Sequence, residues 1–417
     1  MTESARLPAW SLFAALIAMA GLPIYIHAPK VYVDEYGVSL AAMGVTLAAL
    51  RLMDVVQDPL LGWLAEATRP RRRLGVALAV AVMVAALAGL FAVTPPIAPL
   101  AWFALCLTGL FSAFSFLTIC FYAEGVSKAA TLGPQGHIRL AGWREGGSLL
   151  GVCLAAVAPV ALADATDRPF TAFAALFALV AILAVLAMQR EWRGGAVEQV
   201  AHPWDLFRPA LADPLARRLL LIALLNAAPV AVTSTLFLFF VESRLASPGW
   251  EGPLLLLFFL AAALSTPVWS HLARRHGPRP VLLSAMVLAI AAFLWTLTLG
   301  TGDIVAFALI CAASGAALGA DLTLLPAIFA QRLAEQGTPE AAAFGLWSFV
   351  SKLSLAVAAL TVLPALHLAG FQPGLSNSDS ALSMLTLIYA GLPCVLKLVA
   401  ITMLAVTRLP SPNGALS

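Results

Sequence analysis

Charged side chains are scarce in this chain. Only 11% of its 417 residues are Asp, Glu, Lys or Arg, whereas soluble domains carry about 25%. This scarcity excludes an ordinary soluble domain. The hydrophobic content of 61% and the mean hydropathy of +0.94 indicate a protein that lies in a lipid bilayer. The net charge of +3 gives no reason to expect a nucleic-acid partner, and we expect none.

The sequence also lacks the short motifs of catalysis. It has no Gly-rich phosphate loop, no HExxH pair and no nucleophile elbow. We therefore predict neither an enzyme nor an ATP-driven pump, and no cofactor. The five cysteines fall in apolar runs without metal-ligand or disulfide spacing, so we interpret them as packing residues. The first apolar run is too long for a cleavable signal peptide.

Long apolar runs are what the chain does have. At about 20 apolar residues per span, its length accommodates about twelve membrane helices. Each run is closed by charge, Pro or Gly. We predict spans at about 8–28, 38–66, 74–94, 98–122, 140–163, 168–189, 217–241, 252–273, 279–299, 304–331, 341–366 and 382–407.

The positive charges predict the orientation. With a cytoplasmic N-terminus, seventeen Lys and Arg residues fall in the inner segments and only Lys30, Arg168 and Arg244 in the outer ones. Such a bias is typical of the cytoplasmic side. We predict both termini inside a bacterial cytoplasmic (inner) membrane. The inner residues are Arg6, Arg69, Arg71, Arg72, Arg73, Lys128, Arg139, Arg190, Arg193, Arg208, Arg217, Arg218, Arg274, Arg275, Arg279, Arg332 and Arg408.

A polar segment at 190–216 divides the chain into two halves of six spans each. We predict an N-terminal bundle over 1–189 and a C-terminal bundle over 217–417, joined by a cytoplasmic linker. Trp204, Leu206 and Phe207 suggest that the linker contains a short amphipathic helix on the inner surface.

The two halves repeat each other weakly. The segment at 58–74 aligns with 266–282 at a constant offset, which pairs Pro59 with Pro267 and Arg71 with Arg279. Each segment ends a predicted span and enters a basic inner loop. Parallel repeats of six helices are one of the known designs of secondary transporters.

The most informative segment is a polar block inside the second span. Arg51, Asp54, Asp58 and Pro59 have no other charge near them until Glu66. On a helix the first three share one face. Burying a charge at mid-bilayer costs between about 2.5 and 17 kcal/mol, so such residues face a protein interior and find partners. The block predicts a site for a coupling cation or proton. The alternative is a buried ion-pair cluster that only fixes helix packing.

Further motifs occur in the same order as in a known family. The chain resembles the glycoside–pentoside–hexuronide:cation symporters, the melibiose-permease branch of the major facilitator superfamily. The resemblance implies an all-α membrane fold of twelve transmembrane helices in two six-helix bundles, working by alternating access. The matching residues are Arg51, Asp54, Asp58, Pro59, Gly62, Trp143, Arg144, Glu145, Gly151, Gly319, Asp321, Pro326, Gly345, Trp347 and Lys352.

The resemblance also implies roles for individual residues. Asp54 and Asp58 would bind the coupling Na⁺, Li⁺ or H⁺, with Arg51 tuning their protonation. Arg144 and Lys352 would help to form the central site. Arg144 has an alternative role as a positive anchor at the inner end of span five, paired with Glu145.

Two family carboxylates are missing. Span one has no acid near Ala18, and the predicted span 98–122 contains none, the nearest being Glu124. The bidentate acceptance of sugar hydroxyls is therefore missing, and the oxygen cage for Na⁺ is thinner. Because a proton needs only one carboxylate, we predict H⁺ as the coupling ion. Na⁺ at Asp54 and Asp58 remains the alternative.

Polar groups in the later spans have several interpretations. Asp321 is either the partner of a cation or a second proton site, and Lys352 is the candidate partner. Lys352 alternatively reaches Asp54 or Asp58. We expect Lys397 to extend to the inner surface.

Two aromatic residues complete the candidates. Trp347 serves either packing or substrate stacking, and Tyr122 is a candidate polar contact in the cavity.

Together these features predict a monomeric secondary transporter. It would couple H⁺ or Na⁺ to symport of a small organic solute, a sugar or sugar-like molecule. One alternative is a lysolipid or amphiphile carrier on the same scaffold. The other is a non-transporting membrane receptor or assembly factor, although paired acids are not needed by a scaffold.

Overall fold

The computed structural model describes residues 6–21, 28–29, 31–33, 35–133, 135–163, 165–192, 203–336, 340–372 and 377–407. Within these ranges, the side chains of residues 40, 41, 51, 160, 203–206 and 359 lie outside the description. Every regular element in the described ranges is helical.

Fourteen α-helices are described along the chain. They are α1 Leu7–Met19, α2 Leu40–Ala67, α3 Arg72–Phe91, α4 Pro99–Ala130, α5 Gly136–Ala163, α6 Pro169–Met188, α7 Pro203–Ala212, α8 Pro214–Phe239, α9 Glu251–His276, α10 Pro278–Thr296, α11 Ile304–Gln336, α12 Glu340–Leu368, α13 Asp379–Thr386 and α14 Leu392–Val406. A 3₁₀ turn, Arg69–Arg71, precedes α3. π-turns at Phe240–Arg244 and Leu387–Gly391 extend α8 and join α13 to α14.

Ten helical segments of the described ranges are long and apolar enough to cross a membrane. They run from Arg69–Phe91 through Asp379–Val406. Helix α1 is a shorter apolar helix, and the 28-residue α2 carries the polar block in the position of the second predicted span. The prediction of an all-helical membrane protein is confirmed.

Local sequence explains several helix ends. Asp213 accepts hydrogen bonds from the backbone N–H groups of Leu215 and Ala216, and Pro214 occupies the first turn of α8. This arrangement satisfies amides that have no partner inside a helix. Helix α9 ends at Gly277, whose φ of +86° is easily reached only without a side chain.

The chain divides into two compact units. The first comprises Met1–Ala212 and Ala330–Phe349, and the second comprises Asp213–Phe329 and Val350–Ser417. The break after Ala212 lies inside the predicted linker, while the assignment of 330–349 to the first unit had no signal in the sequence. Helix α7 occupies the predicted amphipathic segment. Of its three aromatic and aliphatic markers, only the Phe207 side chain is described, and it is buried.

Small residues control packing in the first unit. A Cβ placed on Gly147 would lie 2.2 Å from the carbonyl oxygen of Ser11, and one on Gly151 would lie 2.4 Å from that of Ala15. Helix α5 therefore approaches α1 at backbone contact, as in other small-xxx-small membrane pairs. Trp10 of α1 also stacks on Phe121 of α4, with ring centroids 5.0 Å apart.

In the second unit, glycines allow the same close backbone approach between α9 and α11. A Cβ on Gly315 would lie 2.2 Å from the Phe258 carbonyl oxygen, and one on Gly319 would lie 2.6 Å from that of Ala262. Trp269 Nε1 also donates a 2.7 Å hydrogen bond to the carbonyl oxygen of Ala316. This close pairing fixes the part of α11 that carries Asp321.

Candidate functional site

Asp54 lies on α2 with only 6% of its surface exposed. Its Oδ1 accepts hydrogen bonds from Gln57 Nε2 at 3.1 Å and from Ser115 Oγ at 3.2 Å. Ser112, one turn before Ser115 on α4, donates a 2.8 Å hydrogen bond to Gln57 Oε1. The carboxylate is thus held in a polar cluster made by α2 and α4.

Asp58 is fully buried, with 0% exposure, one turn further along α2. Its Oδ2 accepts a 2.6 Å hydrogen bond from Ser348 Oγ on the first part of α12. Two glycines make this contact possible, since a Cβ on Gly62 would lie 3.2 Å from Gly345 Cα and one on Gly345 would lie 3.0 Å from the Asp58 carbonyl oxygen. Both belong to the first unit. Helix α2 continues through Pro59.

The third member of the polar block, Arg51, is helical in its backbone, but its side chain lies outside the described residues. Its predicted influence on Asp54 and Asp58 stays a prediction. Trp347 and Lys352 lie half-buried on α12 and have further polar or ring contacts of their own.

Arg144 is buried on α5. Its Nε donates a 2.7 Å hydrogen bond to Glu145 Oε1, and its guanidinium carbon lies 3.6 Å from the centre of the Tyr122 ring. The Tyr122 hydroxyl donates a 2.7 Å hydrogen bond to the same Glu145 oxygen. The pairing with Glu145 is the one considered in the alternative role of Arg144, and the Tyr122 contacts extend it to a buried cluster of three residues.

Asp321 is paired with Lys397 rather than with Lys352. Lys397 Nζ donates to Asp321 Oδ2 and makes a 2.6 Å hydrogen bond to Asn226 Oδ1. The expectation that Lys397 extends to the inner surface is wrong, because only 4% of its surface is exposed. The ammonium instead has two buried partners, Asp321 and Asn226, inside the protein.

Two ion-pair networks were not predicted. Lys128 Nζ lies 2.8 Å from Glu191 Oε2, and Trp10 Nε1 donates a 3.2 Å hydrogen bond to the same oxygen. Arg69 pairs with Glu66 at 3.0 Å and approaches Glu340, the first residue of α12, at 3.9 Å. We interpret the buried Lys128–Glu191 pair as a structural contact between the end of α4 and the residues that follow α6.

The sequence did not predict several hydrogen-bond and ion-pair partners of the candidate site residues. Gln57 had a signal, since it stands inside the polar block between the two acids. Ser112 and Ser115 had a weaker one, as hydroxyls three residues apart within an apolar span. Ser348 had none, because its partner is distant in sequence and becomes a neighbour only through helix packing. Lys397 had a signal, as a charge within an apolar run, but it was expected at the inner surface and not beside Asp321.

Comparison with known proteins supports this architecture. The model of the family described as "MFS/sugar transport protein" matches residues 9–411. No curated protein sequence matches the chain.

Two crystal structures of a bacterial homologue of the iron transporter ferroportin, both outward-facing, are similar in fold. Each is 16% identical to this chain. One covers 96% of this chain and 98% of its own with a TM-score of 0.68. The other, soaked with iron, covers 97% and 99% with a TM-score of 0.69. At this identity the likeness shows the fold alone.

The family match spans nearly the whole chain, including all the motifs from the second predicted span to the eleventh. The fold match covers the same extent. The chain belongs to the MFS/sugar transport protein family, the melibiose-permease-like branch of the major facilitators, and it is a transporter rather than an enzyme.

Proposed function

We propose that this chain is a cation-coupled symporter of a small organic solute, sugar or sugar-like, and that Asp54 and Asp58 load the coupling ion. The observation that carries the proposal is the pair of buried carboxylates one helical turn apart on α2. Ionised groups inside a membrane are costly and mark ion pathways.

The partners of these acids support the assignment. Ser115, Gln57 and Ser348 contact Asp54 and Asp58 through neutral hydroxyl and amide groups. Such groups orient a carboxylate. They hold the two acids in place on α2, where a coupling ion would bind them.

We propose H⁺ as the coupling ion. A proton needs a single carboxylate oxygen, and both acids meet that requirement. The oxygen atoms of Ser112, Ser115 and Gln57 are those that a Na⁺ cage around Asp54 would use. Coupling to Na⁺ would therefore depend on the oxygen atoms of Ser112, Ser115 and Gln57, whereas coupling to H⁺ requires only a carboxylate. This difference can be tested.

The Arg144–Glu145–Tyr122 cluster is the proposed polar contact for the solute. Glu145 offers a carboxylate acceptor and Arg144 a fork of donors beside an aromatic ring. Glu145 thus supplies the kind of acid that the predicted first and fourth spans lack. Asp321, Lys352 and Trp347 remain proposals as further site or charge-switch residues.

Neutralisation of charge would couple the movement of the cation to that of the solute. Binding of cation and solute together would neutralise charges that otherwise oppose burial of the loaded site, so the site changes its access only when both are bound. This is alternating access in its symport form.

The test is uptake into proteoliposomes of labelled glycosides, pentosides and hexuronides, with an imposed H⁺ gradient, an imposed Na⁺ gradient or neither. We expect accumulation of at least one solute only with an inward H⁺ gradient. Empty liposomes and the same preparation with a collapsed gradient are the controls.

The alternatives correspond to other outcomes of that experiment. Uptake of labelled lysophospholipid in place of every sugar-like solute would establish an amphiphile carrier. Absence of uptake for all solutes and gradients, from folded protein, would favour a non-transporting receptor or assembly factor.

A further inference from the structure

The second unit contains a polar cluster that the proposed coupling acids do not use. Asp321 on α11, Lys397 on α14 and Asn226 on α8 are all more than nine-tenths buried. Lys397 donates to both of the others. Because all three belong to the second unit, the cluster is complete without any residue of the first.

One oxygen of this cluster has no partner. Oδ1 of Asp321 is buried and makes no hydrogen bond to any described residue. A buried acceptor left unsatisfied costs about 1–3 kcal/mol, and more for a charged group. Native structures rarely retain such an atom without water, an ion or a functional reason.

A cavity adjoins this carboxylate. It has a volume of about 30 Å³ and is lined mostly by apolar side chains, with Asp321 and Lys397 among its lining residues. That volume is enough for one water molecule. The cavity therefore has room for a water molecule near the carboxylate. The apolar lining residues include Val230, Phe258, Ile290, Phe293 and Leu318.

We propose that Asp321 is a second proton-binding site, which loads and unloads on its Oδ1 independently of Asp54 and Asp58. The proton comes from bulk water, forms the O–H bond of a neutral carboxylic acid and returns to bulk water. No other bond changes. The inference goes beyond the proposed function, since it assigns an ion site to the second unit.

Asn226 explains how the ammonium of Lys397 tolerates this change. When Asp321 becomes neutral, the ammonium still donates its 2.6 Å hydrogen bond to Asn226 Oδ1. A buried cation needs such a partner, because an unpaired one is strongly destabilised. The site therefore carries no net charge when empty and one positive charge when loaded.

Other groups around the cavity do not compete for the proton. The lining residues from α8, α9 and α10 are uncharged. On α14, Lys397 is the charged neighbour, and the Cys394 thiol makes a 3.8 Å hydrogen bond to the Ile290 carbonyl oxygen. A metal ion is disfavoured, because Lys397 already occupies the other carboxylate oxygen and repels a second cation.

The test is infrared difference spectroscopy of the full chain in liposomes, between alkaline and mildly acidic buffer. It uses the variant Asp54→Asn/Asp58→Asn, so that the coupling acids contribute nothing. We expect a carbonyl band of protonated carboxylic acid that disappears when Asp321→Asn is added. Identical difference spectra with and without Asp321→Asn would overturn the proposal.

Two further variants keep the test decisive if Asp321→Asn fails to fold. Asn226→Ala removes the second partner of the ammonium, and Lys397→Gln removes the cation. Each variant should therefore change the pH at which the Asp321 band appears. A band that moves in neither variant would contradict the proposal. Because the spectra require no transport, they test this proposal independently of the symport proposal.

Discussion

Ser348 Oγ donates a 2.6 Å hydrogen bond to Asp58 Oδ2 across 290 residues of sequence. This contact joins the polar block of α2 to the first part of α12. It identifies a neutral partner for a predicted coupling acid. It also gives the ion site a residue that can be changed without touching a carboxylate.

We predict that Ser348→Ala alters ion coupling without abolishing it. A hydrogen bond to a charged group contributes about 1.5 kcal/mol or more, which is about tenfold in an equilibrium constant. Its loss changes the balance between the ionised and the protonated carboxylate, so the pH dependence of proton-driven accumulation should differ from that of wild type.

The measurement is initial uptake rate against pH for wild type, Ser348→Ala and Ser348→Thr. The threonine keeps the hydroxyl and is the matched control. Superimposable profiles for wild type and Ser348→Ala would show that this hydrogen bond has no part in loading.

We predict that Gly151→Ala destabilises the protein. The added Cβ would meet the carbonyl oxygen of Ala15 at 2.4 Å, so α1 and α5 would have to move apart. Overpacking of this kind costs about 1–3 kcal/mol. Thermal unfolding in detergent should show a lower melting temperature than wild type.

Gly44→Ala is the control for that substitution. It also lies inside a helix, but its Cβ would meet nothing within 4 Å. It should leave the melting temperature unchanged or raise it slightly, since alanine favours helices. Equal destabilisation by both variants would contradict the close approach of α1 and α5.

We predict that both termini and the 190–216 linker face the cytoplasm. The distribution of Lys and Arg predicts it, with seventeen positive charges in the inner segments and three in the outer ones. Reporter fusions at Ser417 and within the linker should both report inside. A fusion beside the exposed Asp167 should report outside, and an inside signal there would refute the alternation.

We predict that transport moves protons and is indifferent to Na⁺. Addition of the transported solute to proteoliposomes should make a weakly buffered external medium more alkaline. Replacing Na⁺ by choline should leave the rate unchanged. Strict Na⁺ dependence at fixed pH, without proton movement, would instead point to a cage that includes Ser112, Ser115 and Gln57.

The sequence predicted the helical membrane fold because long apolar runs that end in charged residues are the main signal for membrane-spanning helices. It also predicted that Asp54 and Asp58 turn towards the protein interior, since a charge in an apolar run is too costly to face lipid. For Arg144 the sequence left a place in the central site and a place at the inner end of its span both open. Those inferences depend on local composition.

The partners of these groups could not be predicted in the same way. The pairing of Asp321 with Lys397 depends on the packing of α11 against α14. Lys397 lies late in its span, where extension to the interface is the commoner outcome. The contact of Ser348 with Asp58 similarly requires two glycines to meet, which no single segment of sequence reveals.

The most direct measurement of the central claim is gradient-driven accumulation by Asp54→Asn and Asp58→Asn in proteoliposomes. Asp167→Asn, at an exposed position, is the matched control. We predict that both α2 variants fold as wild type does by circular dichroism and size-exclusion chromatography, yet show no accumulation above equilibrium, while the control accumulates solute normally. Wild-type accumulation by both Asp54→Asn and Asp58→Asn would contradict the role of these carboxylates in coupling.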